Sequence, residues 1–186
     1  MKRTAFLPVA IIALATACAD TTTTPTEVAR VSAAIVGPSF VAANAPTGTH
    51  LQTGAITCSV SGLTISCSTY ELAGVGNANA RADLNGSFAA TVDCRNHGGQ
   101  VVEVKAQAKS AGVSTGELEP KNGKLAVPAL SSGGSTPTNS QFTASAVCPN
   151  GNWTKEVRGG TITLTSFIYT LRFVGFPPVY ITITGP

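Results

Sequence analysis

The sequence predicts an all-β fold, a single disulfide-stapled β-sandwich of immunoglobulin-like or Greek-key type, and three observations predict it. Short runs of alternating apolar and hydroxyl residues recur between Gly, Pro and Asn turn signals. Thr, Ser, Gly, Ala, Val and Asn dominate, while helix-favouring Leu, Glu and Lys are scarce. Four of the five cysteines, Cys58, Cys67, Cys94 and Cys148, fall inside or at the ends of such runs, as a disulfide framework requires.

The N-terminus has a different character. Lys2 and Arg3 precede an apolar run from Ala5 to Ala17, the pattern of a secretory signal over residues 1–17. The run is about half the ~20 residues that span a bilayer as a helix. Leu14-Ala15-Thr16-Ala17-Cys18 resembles the lipobox of bacterial lipoproteins, although Ala15 stands where that pattern usually has Leu. The resemblance implies that Cys18 is lipidated and becomes the mature N-terminus; the alternative is ordinary cleavage after Ala17 or Ala19. Lipidation is favoured because Cys18 is the odd cysteine and a polar Thr/Pro tract, Asp20–Thr26, follows it as a tether. Residues 18–49 are thus expected to carry the anchor and tether, with Val28 to Phe40 either an edge strand or more tether. The sandwich is expected over residues 50–186.

With the first 17 of 186 residues removed, 169 remain, enough for one sandwich with a substantial core. Lys2 and Arg3 leave with the signal, so 10 basic residues face 9 acidic ones and the mature chain is nearly neutral. No basic cluster with interleaved aromatics occurs, and nucleic acid is not expected as a partner.

The clearest element is a hairpin, Ile56 to Ser68. With Gly62 and Leu63 as the central turn residues, Gly62 supplies the positive φ of a type II′ turn. Pairing then runs Ser61 with Thr64, Val60 with Ile65, Ser59 with Ser66 and Cys58 with Cys67. That register places Cys58 and Cys67 at a close-approach pair, suited to a cross-strand disulfide. Cys94 and Cys148 remain for each other. Phe88…Cys94-Arg-Asn96 and Phe142…Cys148-Pro-Asn150 repeat Phe, Cys and Asn at the same spacing, which suggests two matching strands joined at their ends.

Other strands follow from alternation. Val102, Val104, Ala106 and Ala108 are expected inward, against Glu103, Lys105, Gln107 and Lys109. Leu125 to Val127 should stop at Pro128. Ala78 to Cys94 reads as one long strand bent at Asn85-Gly86 in preference to a hairpin. Along Thr161 to Val174 the apolar parity changes near Ser166: Ile162 and Leu164 share one face, then Phe167, Tyr169, Leu171 and Phe173 take the other. Such a switch marks a bulge or burial on both faces. Val179 to Thr184 closes the chain.

The raw material for catalysis is thin. No nucleophile elbow, zinc-protease helix, phosphate loop or paired Cys-x-x-Cys is present, so no catalytic residue, metal or cofactor is assigned and the chain is expected not to be an enzyme. Asp93-Cys94-Arg95-Asn96-His97-Gly98-Gly99 is the most polar cluster and reads as a turn before it reads as a metal site. Cys148-Pro-Asn150-Gly-Asn152-Trp153-Thr154 holds the one tryptophan. The favoured reading packs Trp153 beside the Cys94 bridge; the alternative has Trp153, with Asn150 and Asn152, contacting a sugar. Asn85-Gly-Ser87 and Asn152-Trp-Thr154 match the glycosylation acceptor pattern, which a bacterial signal leaves unused.

Ala73-Gly-Val-Gly-Asn77, Cys94-x-Asn-x-Gly-Gly99, Lys121-Asn-Gly-Lys124 and Cys148-Pro-Asn-x-x-Trp-Thr154 together resemble a pattern in small secreted, actinobacterial-like proteins of uncharacterised role. It covers residues 55 to 184, and its motifs are turn and disulfide residues, so it implies a shared sandwich fold and no activity. The functional expectation is an exported cell-envelope lipoprotein, on the outer face of a bacterial envelope or secreted. It would be held to a membrane through Cys18 and display a non-catalytic domain that binds a glycan or surface protein. The alternative is a structural or self-assembling envelope subunit.

Overall fold

The computed structural model describes residues 35 to 186. The expected signal, Cys18, the Thr/Pro tract and the first part of Val28 to Phe40 lie outside the described residues. Among the described residues, thirteen strands and one α-helix follow in chain order, with a short 3-10 turn at Ala42–Asn44. They are β1 Val36–Phe40, β2 His50–Gly54, β3 Cys58–Ser61, β4 Thr64–Cys67, β5 Tyr70–Ala73, β6 Ala80–Arg95 and β7 Val101–Lys109. Then come β8 Val113–Ser114, β9 Lys124–Val127, β10 Leu130–Ser131, α1 Asn139–Ser145, β11 Thr154–Val157, β12 Thr163–Phe173 and β13 Phe176–Gly185. The fold is all-β, and every strand pairing is antiparallel.

One large sheet carries the architecture, in the order β1-β13-β12-β6. β6 is its spine. One edge of β6 pairs with β12 and, further along, β11; the other pairs with β7 and β8. Two small sheets, β10-β4-β3 and β2-β5-β9, supply the facing layer. A strand of 16 residues is long, and the alternation of β6 holds throughout: Ala80, Ala82, Leu84, Phe88, Ala90, Val92 and Cys94 are all buried. This is the single long strand expected from the sequence, with no hairpin at Asn85-Gly86.

Gly86 occupies an inward position midway along β6. A Cβ there would lie 2.9 Å from the Phe88 ring and 3.2 Å from Ile65 Cδ1, so the site is reserved for a residue without a side chain. On either side of it lie two apolar clusters. The larger packs Ala82, Leu84, Phe167, Tyr169, Leu171 and Ile181 of the large sheet against Ile65, Leu72, Leu125 and Val127 of the small sheets. The smaller joins Phe88, Ala90, Val92 and Ala106 to Phe142 and Ala146 of the α1 segment.

β12 serves both clusters by means of a bulge. Leu164 pairs with Phe88 and Ser166 with Ser87, which leaves Thr165 without a cross-strand partner. Leu164 therefore packs against both clusters and Phe167 within the larger, on the same side of a sheet whose β6 never changes parity. The parity change near Ser166 is this bulge.

The β3–β4 hairpin has the expected register at all four pairs, and Gly62 has φ 59°. The Cys58–Cys67 disulfide closes it with Cα atoms 4.0 Å apart. Cys94–Cys148 also forms, with Cα atoms 5.8 Å apart. The matching-strand argument for that bridge is overturned, because Phe142 lies on a helix. Gln141 Oε1 accepts the Thr138 N–H at 2.8 Å, half of a capping box that starts α1. Helical spacing then brings Phe142 and Ala146 to one face, where both are buried. The chain leaves the helix in an extended conformation at Ala146 and carries Cys148 back to Cys94.

β7 alternates as expected at Val104, Ala106 and Ala108, while Val102, expected inward, is 40% exposed at the open end of the strand. β1 pairs with β13, and the Asn44 amide donates to the Val179 carbonyl at 2.7 Å. The sheet thus takes in residues upstream of the expected boundary at 50.

The two layers share one buried polar contact, Tyr70 Oη to Tyr169 Oη at 2.8 Å, between β5 and β12. Burial pushes the Tyr169 hydroxyl up to about 12 and raises Tyr70 as well, burial again leading and Tyr169 adding to it, so both remain protonated at neutral pH. Changing Tyr169 to Phe strands the Tyr70 hydroxyl in the core, at an expected cost of about 1–3 kcal/mol. The double change Tyr70→Phe with Tyr169→Phe should cost less than the two singles together. Urea denaturation of the four proteins in the cycle measures this coupling.

Candidate functional site

The end of the large sheet beyond Cys94 gathers the residues singled out in the sequence. β6 turns into β7 through Asn96–Gln100, a turn built by Asn96. Its N–H donates to the Gln100 carbonyl at 3.0 Å, and its Oδ1 accepts the Gln100 N–H at 2.8 Å. Gly99 takes φ 83°, which only glycine adopts freely. This is the turn reading of the Asp93–Gly99 cluster. Asp93 is engaged by Arg158, Cys94 is in the disulfide and His97 stands exposed in the turn.

The second loop, Cys148 to Thr154, is held at both ends. The disulfide fixes Cys148 to Cys94, and Thr154 begins β11 opposite Arg95. Between them the Asn152 N–H donates to Asn150 Oδ1 at 3.1 Å, so Asn150 shapes the loop while both asparagines stay exposed. Lys155, which follows Thr154, donates to the Ala146 carbonyl at 2.7 Å and ties the loop to the end of α1.

Trp153 is half-buried and belongs to neither apolar cluster. Its partial burial, on a loop that begins at Cys148, fits the favoured expectation of packing beside the bridge as well as the sugar-contact alternative. The core of this end is filled by Phe142 and Ala146, which arrive on the unforeseen helix. Register places Arg95 between Thr154 and Val101. Val101 and Val102 are each about 40% exposed, and Val147, beside Cys148, is 83% exposed. The disulfide end therefore presents valines, amides and one aromatic on a braced scaffold.

Two ion-pair clusters on the uncovered face of the sheet escaped sequence reasoning. Arg158 Nη2 pairs with Asp93 at 2.8 Å and Arg158 Nη1 with Glu103 at 2.8 Å. These hydrogen bonds, donated to Asp93 first and then to Glu103, raise the guanidinium further above its usual range. Farther along β6, Asp83 accepts from Arg81 and from Arg172, each at 2.8 Å. Burial alone would raise the Asp83 carboxyl, but Ser114, Arg172 and Arg81 outweigh it and hold the group below its usual range. The signal was faint but present: Arg81 and Asp83 share a strand face, and Arg172 is the only charge between Thr161 and Val174.

No family model, curated protein or solved structure matches this chain.

The bracing of the loop end has a measurable consequence. Replacing Cys94 and Cys148 together by Ala opens a closed loop worth about 4 kcal/mol on the chain-entropy model. The loss should appear as a lower midpoint in guanidinium denaturation, accompanied by faster amide exchange at Asn150 to Trp153. Removal of Cys58 and Cys67 should leave exchange in that loop unchanged.

Proposed function

We propose that this chain is an exported, lipid-anchored display module that binds a glycan through the Cys148–Thr154 loop, with Trp153 as the stacking surface. The observation that carries the reading is a partly exposed tryptophan beside two exposed asparagines, on a loop clamped by a disulfide and a strand. An aromatic face covers the C–H face of a sugar ring, and neighbouring amides hydrogen-bond its hydroxyls. Clamping lowers the ordering cost of binding, since little loop freedom remains to be lost. The signal over residues 1–17, the lipobox cysteine Cys18 and the Thr/Pro tether suit a domain held off a membrane surface on the outer side of a bacterial envelope.

Self-assembly through a sheet edge is the second reading. β1 is the end strand of the large sheet, with Val36 61% and Phe40 49% exposed. Yet this strand contains Pro38 and shifts register between Val36 and Ser39, both devices that blunt an edge against pairing with a neighbour. The binding reading is therefore preferred.

A glycan array comparing the wild type with Trp153→Ala tests it. We expect the substitution to weaken the strongest signals roughly tenfold or more, the scale of a binding hot spot, with little change in melting temperature. Unaltered binding with a lowered melting temperature would instead make Trp153 a packing residue. Cys18→Ser should move the protein from the membrane fraction to the soluble one, and its retention there would remove the lipid from the account.

A further inference from the structure

The Arg81–Asp83–Arg172 cluster does more than hold the sheet together. Arg81 on β6 and Arg172 on β12 are directly opposed in the ladder. Like charges in that position repel and cost stability. A single buried Asp83 bridges them, which leaves one positive charge uncompensated within the trio.

The bridge uses only part of each guanidinium. Arg81 engages Asp83 and the Ser114 hydroxyl through Nε, both at 2.8 Å, while Arg172 engages Asp83 through Nη2. Among the described residues, the two Nη nitrogens of Arg81 and the Nε and Nη1 of Arg172 have no partner. Both side chains are half-exposed. Asp83 thus fixes two guanidinium forks side by side while leaving donors free.

Those two arginines line a groove of about 430 Å³ with Glu117, Phe173 and Val174. Each remaining wall restricts what fits. Val174, 57% exposed, offers an apolar contact for a carbon ring. Glu117 receives the Asn79 amide at 2.8 Å on one carboxylate oxygen, and its other oxygen can accept from a ligand hydroxyl. Its negative charge also sets a limit on the ligand, since a doubly charged phosphate would be repelled where a singly charged carboxylate is tolerated. Planar carboxylates match the fork geometry of arginine, which takes them bidentately.

We propose that this groove is a binding site for an acidic sugar, with the carboxylate held between Arg81 and Arg172 and a ring hydroxyl donating to Glu117. The groove lies at the Ala80 end of β6, and the Trp153 loop lies beyond its Arg95 end. The two sites are independent, so each stands or falls without the other.

Calorimetric titration of the protein with trigalacturonate, with its methyl ester and with inorganic phosphate at low salt tests the proposal. Saturable binding of the acid is expected, with the ester and phosphate each weaker by roughly tenfold or more. Arg81→Lys and Arg172→Lys keep the charge beside Asp83 but lose the fork, and each should weaken the acid by roughly tenfold with the melting temperature preserved. Trp153→Ala should leave this binding unchanged. The proposal is overturned if acid and ester bind alike, if phosphate binds as well as the acid, or if no saturable binding occurs. It is equally overturned if folded lysine variants bind as the wild type does. The comparison of acid with ester uses the wild-type protein alone and decides the matter even where a variant fails to fold.

Discussion

The constraint on which the rest of the molecule depends is the unbroken parity of β6. Every second residue from Ala80 to Cys94 faces the interior, so any strand pairing along its length must keep its apolar side chains on that same side. β12 meets this only because Thr165 is extruded between Leu164 and Ser166. Without the bulge, either Ile162 and Leu164 or the run from Phe167 to Phe173 would face water. The Thr165 hydroxyl donates to the Ser87 carbonyl at 3.0 Å, which anchors the extra residue on the outer face.

A spine this long outreaches its facing layer, and the interior divides in two as a result. The small sheets cover the Ala80 half of β6, and α1 covers the half toward Cys94. Burying Phe88 and Phe142 is worth about 1.5–3 kcal/mol each on general transfer grounds, which explains why a seven-residue helix of modest propensity persists there. The helix in turn delivers Cys148 to Cys94, and that bridge carries the Trp153 loop. Both candidate binding regions thus rest on β6, one near each end, and both are set on rigid strands with few adjustable elements between them.

What could be read in advance was whatever local periodicity encodes. The Gly62-Leu63 turn specified the hairpin register and with it the Cys58–Cys67 pair, because turn type and alternation agree there. The parity change along β12 was visible as a sequence pattern, as was the single long strand through Asn85-Gly86. The Phe142 segment was misread because a Phe-to-Cys spacing of six suggested a strand face, while Thr138 and Gln141, at capping-box spacing, carried the better signal. Trp153 was expected beside the Cys94–Cys148 bridge because that is a usual arrangement in small sandwiches, and its partial burial fits that expectation as well as the sugar-contact alternative. The Arg81–Asp83–Arg172 trio depends on pairing between strands far apart in sequence, so the shared face of Arg81 and Asp83 was visible locally but their meeting with Arg172 was not.

Two single-residue deletions within β12 test the parity account most directly. Removing Thr165 deletes the extruded residue and leaves Leu164 opposite Phe88 and Ser166 opposite Ser87, so both clusters keep their inward side chains. Removing Thr170 shifts the alternation on one side of the cut and turns either Phe167 and Tyr169 or Leu171 and Phe173 outward. Thermal unfolding of the two proteins, followed by circular dichroism, should show a cooperative transition for the chain lacking Thr165 and none for the chain lacking Thr170. A chain without Thr165 that unfolds no more cooperatively than the chain without Thr170 would contradict the account.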